Sequence, residues 1–323
     1  MNGVIIVDKP AGWTSHDVVN RMRRILGQRS VGHLGTLDPL ATGVLPLVTG
    51  GLTRLAQFYT TSEKTYEGTI RFGFATNTYD ADGDPVGQVH QVTLNLEHLQ
   101  KLATRFQGVI EQVPPPFSAK KIHGVPAYKL ARKHEEVILK PVQVEIKEFA
   151  ILSVDTDRAT FRARVASGTY MRSVAHEMGQ LQGSGAHLES LRRTAVAEFD
   201  IAQAHTLEKI EREMGPPGKG QTRGKEINPC HSEPGEKPGE ESAVRCHEAI
   251  AALFIHPRQL LPQFPCVTAD EPTVARIRNG RPINLPELSR ARQVKVFAGQ
   301  RELIAIATRV AGTLFHPKIV FPT

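Results

Sequence analysis

A segment rich in glycine and proline interrupts the second half of this chain. Residues 215–239 contain six glycines and five prolines, and Ile227 and Cys230 are their only apolar residues. Such a segment buries too little apolar surface to offset the conformational entropy that a chain loses when it becomes ordered. We therefore predict a disordered insertion over residues 213–242, with folded parts of the 323-residue chain on either side of it.

Before the insertion, strand and helix patterns follow one another without a regular strand–helix–strand repeat. A short run that is closed by Pro10 and Gly12 predicts a strand at 3–9, and alternating polarity predicts strands at 65–74, 142–154 and 159–167. Apolar residues at helical spacing predict helices, at 15–26, 93–108 and 168–183. An irregular mixture of this kind is typical of the α+β class. For residues 1–212 we predict one domain, built on a mixed, mainly antiparallel sheet with flanking helices.

Two of the predicted helices show signals for their ends and faces. In the first helix, Ser15 is the expected N-cap and Gly27 follows the last turn. In the third helix, one face is formed by Tyr170, Val174, Met178 and Leu181. Because helical residues at this spacing project to the same side, we expect these four side chains to face the interior.

The chain after the insertion is expected to form a small second domain. A helix at 243–254 and a proline-rich connector make up residues 243–266. Residues 267–323 contain short runs of alternating polarity that are separated by glycine turns. This pattern is typical of a small β-barrel-like domain.

The chain carries more basic than acidic side chains. Its 40 Lys and Arg against 33 Asp and Glu give a formal net charge of +7 and a sequence pI of about 9.4. Such an excess suits a polyanionic partner such as nucleic acid, although many basic proteins bind none. The three cysteines lie far apart, and the apolar run at 4–7 is too short for a signal peptide. We therefore expect a cytoplasmic protein.

Several common classes of enzyme and of metal site are not indicated by the sequence. It contains no G-x-S-x-G, no G-x-x-x-x-G-K-[ST], no H-E-x-x-H and no G-x-G-x-x-G after a strand. Two Cys-His pairs, Cys230-His231 and Cys246-His247, are the candidate metal ligands. They flank a glycine-rich segment and lack the usual ligand spacing, so we interpret them as incidental and expect no metal.

A single carboxylate, Asp38, lies in a stretch rich in glycine and apolar residues, GHLGTLDPLATGVLPLVTG at 32–50. The glycines allow the backbone to approach a ligand or to adopt φ > 0, and Leu37 places apolar surface beside the acid. A carboxylate in such a place needs a cation. The alternative is that Asp38 and Pro39 only start a turn, and the residues alone leave both interpretations open.

Five segments of the chain, this stretch included, resemble the motifs of one family. The stretch around Asp38 resembles the aspartate motif of the TruB family of tRNA pseudouridine synthases. Four further segments resemble that family's N-terminal, tyrosine, arginine and leucine motifs: GVIIVDKPAGWTSHDVV, KTYEGTIRFGFATNTYDADG, SGTYMRSVAHEMG and GAHLESLRRTAV. All five occur in the family's order and cover most of residues 3–200. Residues 267–323 resemble, more weakly, the PUA-type RNA-binding domain of many bacterial members.

The resemblance implies an isomerase that needs neither a cofactor nor a metal. Its substrate would be uridine 55 in the T-arm of tRNA, which would become pseudouridine after the base is flipped out of its stack. Residues 1–212 would be the catalytic domain. A uridine isomerase that depends on a guide RNA, and a tRNA-binding folding helper without catalysis, are the alternatives.

The family's functional residues correspond to named positions of this chain. The resemblance makes Asp38 the nucleophile and gives it an ion pair with Arg172. Tyr66 would stack on the target base and serve in removing its C5 proton. Tyr170 and Leu191 would line the pocket.

RNA binding would involve further residues. By the same resemblance, His33 would fill the space left by the flipped base. The phosphate backbone would be met by Arg21, Arg23, Arg24, Lys120, Lys121, Arg132, Lys133, Arg192 and Arg193. Since every proposed catalytic residue precedes residue 200, we expect the 267–323 domain to affect RNA binding and not turnover.

Overall fold

The structure is a computed structural model, which describes residues 1–118, 120–122, 124–131, 139–215, 250–287 and 290–322. The predicted insertion from residue 216 onward lies outside these residues, and so do both Cys-His pairs, Arg132 and Lys133. Within them, no helix combines the length and the apolar character needed to cross a membrane.

Ten strands form one large sheet. They are β1 Gly3–Lys9, β2 Val31–His33, β3 Thr42–Thr49, β4 Lys64–Phe72, β7 Gly108–Gln112, β10 Val142–Asp155, β11 Arg158–Val165, β12 Ala186–Val196, β13 Phe199–Asp200 and β14 Phe254–Ile255. The order is β14-β1-β3-β12-β4-β11-β10-β7, with β2 beside β3 and β13 beside β12. Its ladders are antiparallel except for the parallel pair of β3 and β12. The expected mixed, mainly antiparallel sheet is confirmed.

Helices lie on this sheet, and two short hairpins project from it. The helices of this part are α1 Ser15–Ile25, α2 Ala56–Tyr59, α3 Leu96–Ala103, α4 Ala127–Ala131, α5 Met171–Gln182 and α6 Leu207–Met214. Short 3-10 turns occur at Gly50–Leu55, Thr104–Phe106, Ile201–Gln203 and Pro257–Gln259. The hairpins pair β5 Ala75–Thr76 with β6 Pro85–Val86, and β8 Lys121–Ile122 with β9 Val125–Pro126. Helices α1, α3 and α5 confirm the three that helical spacing predicted.

Helix α1 and its N-cap each begin one residue earlier than expected. Thr14 is the N-cap, because its side chain accepts from the N–H of Asp17 while the Asp17 carboxylate accepts from the N–H of Thr14. This reciprocal pair satisfies two backbone donors that the helix leaves free. Ser15 instead lies buried inside the first turn, where it bonds both backbone groups of Leu37. The start of α1 is thereby joined to the segment that carries Asp38.

Residues after 265 form a second sheet of five strands that curls into a half-barrel. Its strands are β15 Cys266–Ala269, β16 Ile283–Asn284, β17 Gln293–Ala298, β18 Glu302–Ala311 and β19 Leu314–Val320, with helix α7 at Glu271–Arg278. Their order is β15-β17-β18-β19-β16. The expected small β domain is confirmed.

The two sheets share an apolar core. Side chains alternate between the two faces of a strand, so β1 contributes to two different clusters. Ile5 packs with Met22 and the other helix residues on one face of the large sheet. Val4 and Ile6 pack on the other face, in a cluster that includes Phe297 of the second sheet. The C-terminal sheet therefore covers one face of the large sheet.

Three local predictions are wrong. Leu181 is 45% exposed, because it lies in the last turn of α5, beyond the sheet that covers the rest of the helix. Phe254 is in a strand and not in the predicted helix, since its backbone pairs with Ile5 at the edge of the sheet. The predicted boundary at residue 212 falls within α6, which continues to Met214 because Met214 is buried in the core.

Candidate active site

A cavity of ≈430 Å³ opens between the loop that joins β2 to β3, the start of β4 and the turn before α5. Its wall includes five of the six predicted site residues, His33, Asp38, Tyr66, Tyr170 and Leu191. The sixth, Arg172, contacts Asp38. The fold thus brings together side chains that are spread over residues 33–191.

The backbone around Asp38 is held from two sides. Ser15 donates to the carbonyl of Leu37 at 3.1 Å and accepts from the N–H of Leu37 at 2.8 Å. The fully buried Lys9, at the end of β1, donates to the carbonyl of Pro39 at 3.2 Å and to two further carbonyls. Burial lowers the pKa of Lys9 to about 8, and the Asp38 carboxylate acts in the opposite direction. The carboxylate therefore extends from a loop that is hydrogen-bonded at both neighbouring residues.

Arg172 lies one residue inside α5 and is 5% exposed. Its Nε is 2.9 Å from Oδ2 of Asp38, outside hydrogen-bond alignment, so the contact is an ion pair. The rest of the guanidinium contacts Oδ2 of Asp80 at 3.5 Å and donates to the carbonyls of Thr78 at 3.3 Å and Phe117 at 3.0 Å. One buried cation thus holds two carboxylates and two carbonyls in a fixed arrangement.

Asp80 is a component of the site that the sequence analysis missed. Its side chain is 8% exposed and accepts from the hydroxyl of Thr78 at 2.5 Å and from the N–H of Asp82 at 3.2 Å. Burial raises the pKa of Asp80, while the Thr78 hydrogen bond and the Arg172 charge oppose the rise. The residue lies in the tyrosine-motif segment, whose three aspartates at 80, 82 and 84 look alike in sequence. Burial alone distinguishes Asp80 from the exposed Asp82.

Three apolar or aromatic side chains shape the cavity beside Asp38. Tyr66 is 7% exposed and Leu191 is 8% exposed, on the neighbouring strands β4 and β12. Tyr170 precedes α5, where Gln112 accepts from its N–H at 2.8 Å and donates to its carbonyl at 3.1 Å. Burial raises the pKa of the Tyr170 phenol. The result is a recess with aromatic and apolar walls next to a carboxylate, which suits a planar ring.

His33 lies at the end of β2 and lines the cavity. Its Nδ1 accepts from the N–H of Gly35 at 3.3 Å, which assigns the remaining ring proton to Nε2 when the ring is neutral. Burial and the nearby Arg193 guanidinium lower the pKa of His33. The ring is therefore neutral near pH 7, and it can fill an apolar gap without introducing a charge.

The expected surface position of Arg193 is wrong. Its side chain is fully buried under the Asp38 loop. It donates to the carbonyls of Val44 at 2.8 Å, Thr36 at 3.1 Å and Gly35 at 3.1 Å. Because its donors are occupied by this loop, Arg193 is unsuited to meeting a phosphate and instead supports the loop.

The other basic candidates for contacting phosphate differ in their exposure and in their pairing with other groups. Arg24 and Lys120 are exposed. Arg21 pairs with Glu211 and Arg192 pairs with Asp8, in contacts at the surface. Arg23 is half-buried and donates to a backbone carbonyl, and the side chain of Lys121 lies outside the described part of the chain.

In the described ranges, no three His, Cys, Asp or Glu side chains lie close enough together to hold a metal ion. The two acids nearest the cavity both contact Arg172. The Arg172 guanidinium lies where both carboxylates converge, so each of them forms an ion pair with it.

Two family models match the chain. One, described as the TruB family pseudouridylate synthase N-terminal domain, matches residues 23–171. The other, described as the tRNA pseudouridylate synthase B C-terminal domain, matches residues 172–216. Together they span every candidate site residue.

Curated relatives match over most of their length. The tRNA pseudouridine synthase B of Solibacter usitatus is 44% identical over 323 residues, which are 99% of this chain and 100% of that protein. The protein of the same name from an Azoarcus species is 34% identical over 100% of this chain and 96% of its own.

Solved structures match in fold. A Cbf5-Nop10-Gar1 complex contains a chain that is 22% identical, with a TM-score of 0.66 over 99% of this chain and 85% of that chain. An H/ACA RNP bound to a substrate RNA contains one that is 21% identical, with a TM-score of 0.65 over the same shares. Combined with the family models and the relatives of similar length, these matches show that the chain belongs to the TruB family of pseudouridylate synthases, which are RNA-modifying isomerases.

Proposed function

We propose that this chain converts uridine 55 in the T-arm of tRNA to pseudouridine, with Asp38 as the essential carboxylate. The observation that carries the proposal is the contact between Asp38 and the buried Arg172, beside a cavity whose wall includes Tyr66 and Tyr170. The relatives that match along their whole length are named as tRNA pseudouridine synthases, which supports tRNA as the substrate. A substrate of this kind also favours a cytoplasmic site of action.

The chemistry requires a carboxylate that acts as a nucleophile or as a base, and no outside reagent. The glycosidic bond between C1′ and N1 of uridine breaks, the uracil turns, a C1′–C5 bond forms, C5 loses its proton and N1 gains one. A carboxylate can hold one fragment covalently while the other turns, by attack on ribose C1′ or on uracil C6. Alternatively it can act as a base toward the ribose. Each of these routes uses Asp38 as a carboxylate, and the Arg172 guanidinium places the opposite charge beside it.

The walls of the cavity would place the base for this reaction. Tyr66 offers an aromatic face on which the uracil stacks, and its phenol would serve in taking the C5 proton. Leu191 and Tyr170 would restrict the turning ring to the cavity. Uracil therefore stays close to the ribose while it turns.

The target base must first leave the folded T-arm, which costs a few kcal/mol of stacking and pairing energy. The neutral His33 ring would occupy the vacated position, at the edge of the same cavity. Exposed basic side chains such as Arg24 and Lys120 would hold the phosphate backbone.

The C-terminal sheet would extend the RNA-binding surface. A groove on it is lined by Arg292, His316 and Lys318, together with Gln293, Thr308, Val310 and Pro317. We assign residues 267–323 to a PUA-like RNA-binding domain, residues 1–214, which include all of α6, to the catalytic domain, and the chain between them to the insertion and, at 243–266, the connector. Basic groups around a shallow groove suit a phosphate backbone better than a small neutral ligand.

The decisive experiment replaces the carboxylate and keeps its shape. Asp38→Asn should bind tRNA as the parent does and form no pseudouridine, because an amide cannot act as the nucleophile or the base. Tritium release from 5-tritiated uridine in T-arm RNA measures turnover, and mapping of the product identifies the modified uridine. Asp82→Asn, at an exposed acid of similar sequence context, is the control and should turn over normally.

Other outcomes would support other functions. Parent-like turnover by Asp38→Asn would overturn the catalytic role of this residue. Activity only in the presence of a guide RNA would favour the guide-dependent alternative, and modification at another position would overturn the uridine 55 assignment. Binding without any turnover by the parent protein would favour the folding helper.

A further inference from the structure

We propose that His176 is a positioning residue for the isomerisation, because its ring holds the turn at residues 78–80 against Arg172. The inference rests on the proposed role of the Asp38–Arg172 pair. His176 is not among the residues that line the cavity, so its effect would be transmitted through Tyr79 and Asp80.

Helix α5 contacts the 78–80 turn at two points, one helical turn apart. Arg172 binds the carbonyl of Thr78 and the carboxylate of Asp80. Four residues later, the His176 ring lies flat on the ring of Tyr79, with 3.8 Å between centroids and an interplanar angle of 11°. Residues at this spacing project from the same side of a helix. The two contacts therefore hold three consecutive residues of the turn.

The backbone of Tyr79 has an unfavourable conformation that the ring stack helps to stabilise. Its φ is +66°, in the left-handed region. This conformation costs an L-residue roughly 1–2 kcal/mol, and glycine or asparagine would adopt it more readily. Two backbone hydrogen bonds support it, from Tyr79 N–H to the Thr76 carbonyl at 3.3 Å and from Leu188 N–H to the Tyr79 carbonyl at 3.0 Å. A tyrosine at such a position is best accounted for by its ring contact.

The hydrogen bonds of His176 do not explain its placement. Its Nδ1 is buried and has no hydrogen-bond partner among the described residues. Its Nε2 meets only the amide nitrogen of Gln180, at 2.9 Å on the same helix. The flat face on Tyr79 is therefore the contact that joins this side chain to another element.

Asp80 depends on the geometry of this turn. Its carboxylate accepts from the Thr78 hydroxyl, and its carbonyl accepts from the Thr76 hydroxyl at 2.7 Å. Loss of the ring stack would release Tyr79, which lies between Thr78 and Asp80 in sequence. Arg172 would then lose the carboxylate on one side, and its Nε would no longer be fixed opposite Asp38. This local displacement would reduce turnover and leave the RNA-contacting surface unchanged.

The test compares variants that remove the stack with variants that keep it. His176→Ala should lower kcat about 10- to 100-fold, a loss typical of small misplacements in an active site, while KM and the tRNA Kd stay within about twofold. His176→Phe keeps a flat ring and should restore most of kcat. Tyr79→Phe should match the parent, since the stack needs the ring and not the hydroxyl. Rescue by an aromatic ring distinguishes positioning from general packing.

A double-mutant cycle tests whether the effect passes through Asp80. In an Asp80→Asn background, His176→Ala should change kcat by less than about twofold, because the two changes act on the same contact. Multiplicative effects would overturn the proposal. If His176→Ala fails to fold, Tyr79→Gly replaces it, since glycine accepts the left-handed conformation and removes the ring.

Failure of this inference can be told apart from failure of the proposed function. Parent-like kcat in both His176→Ala and Tyr79→Gly, with Asp38→Asn inactive, overturns only the role of His176. Parent-like turnover by Asp38→Asn overturns the proposed function itself.

Discussion

Buried cations surround the Asp38 loop more closely than any sequence pattern indicated. Lys9, Arg172 and Arg193 are each no more than 5% exposed, and all three donate to backbone carbonyls. A buried charge is costly unless hydrogen bonds compensate its lost hydration. The positions of these three side chains therefore depend on carbonyls that only the folded chain brings together around them.

Lys9 should make the stability of the protein depend on pH. Burial lowers the pKa of Lys9 from 10.5 to about 8 in the folded chain. Between these two pH values the unfolded chain binds more protons than the folded chain, so this group makes stability rise as pH increases. The free energy of unfolding of the parent, relative to Lys9→Met, should therefore increase between pH 8 and pH 10.5.

Denaturant titrations at a series of pH values measure this difference. Lys101→Met, on the exposed side of α3, is the control and should differ from the parent by a constant amount. A constant difference for Lys9→Met as well would contradict the lowered pKa.

At the scale of elements, the parallel contact between β3 and β12 should be sensitive to a single methyl group. A Cβ added at Gly43 would lie 2.2 Å from the carbonyl oxygen of Arg193, and φ there is +98°. Gly12 has a similar φ of +78° but nothing within 4 Å of an added Cβ. Gly12→Ala should cost roughly 1–2 kcal/mol of stability from backbone strain alone. Gly43→Ala should cost clearly more, because the two strands must also move apart.

Chemical denaturation of the two alanine variants checks this prediction, and Asp38-dependent turnover provides a second readout. Equal losses of stability in Gly43→Ala and Gly12→Ala would show that the close approach of the strands contributes nothing.

Sequence patterns identified elements well where the signal was local. The apolar stripe of α1 and its threonine and aspartate cap lie within a few residues, so the helix was predicted almost to its ends. Strand β14 was predicted as the end of a helix, because its partner β1 lies some 250 residues away in the chain. A two-residue strand is stabilised by pairing with its neighbouring strand, and its own sequence says little about whether it will form a strand.

At the scale of the whole molecule, the shared apolar cluster changes what is expected of the C-terminal sheet. Phe297, Leu303 and Ile306 of that sheet pack with Val4 and Ile6 of the large sheet. Removing residues 267–323 would expose this apolar surface, so the expected effect is loss of the folded catalytic domain. The sequence predicted that turnover would survive such a truncation, whereas the shared core predicts that turnover is lost.

A point substitution tests this coupling without removing the domain. Phe297→Ala should lower the free energy of unfolding by about 3–5 kcal/mol, as large-to-small changes in a core do. Trp13, the single tryptophan, lies in the catalytic domain, where its backbone carbonyl accepts a hydrogen bond from Lys9. Its fluorescence should report the loss although the change is made in the other sheet.

Val310→Ala is the matched control, since Val310 is 61% exposed on β18 of the same sheet. An unfolding curve of Trp13 that is unchanged in Phe297→Ala would mean that the two sheets unfold independently.

The sequence by itself determined the family and the α+β class, and it named the candidate site residues. These are properties of residue order, and the five motifs carry them. Only the tertiary structure decided that Asp80 joins Asp38 at Arg172, that Arg193 is buried under the loop, and that the second sheet completes the core of the first. Burial and the choice of partner depend on distances between remote segments. Local sequence patterns do not specify those distances, because they depend on how the whole chain folds.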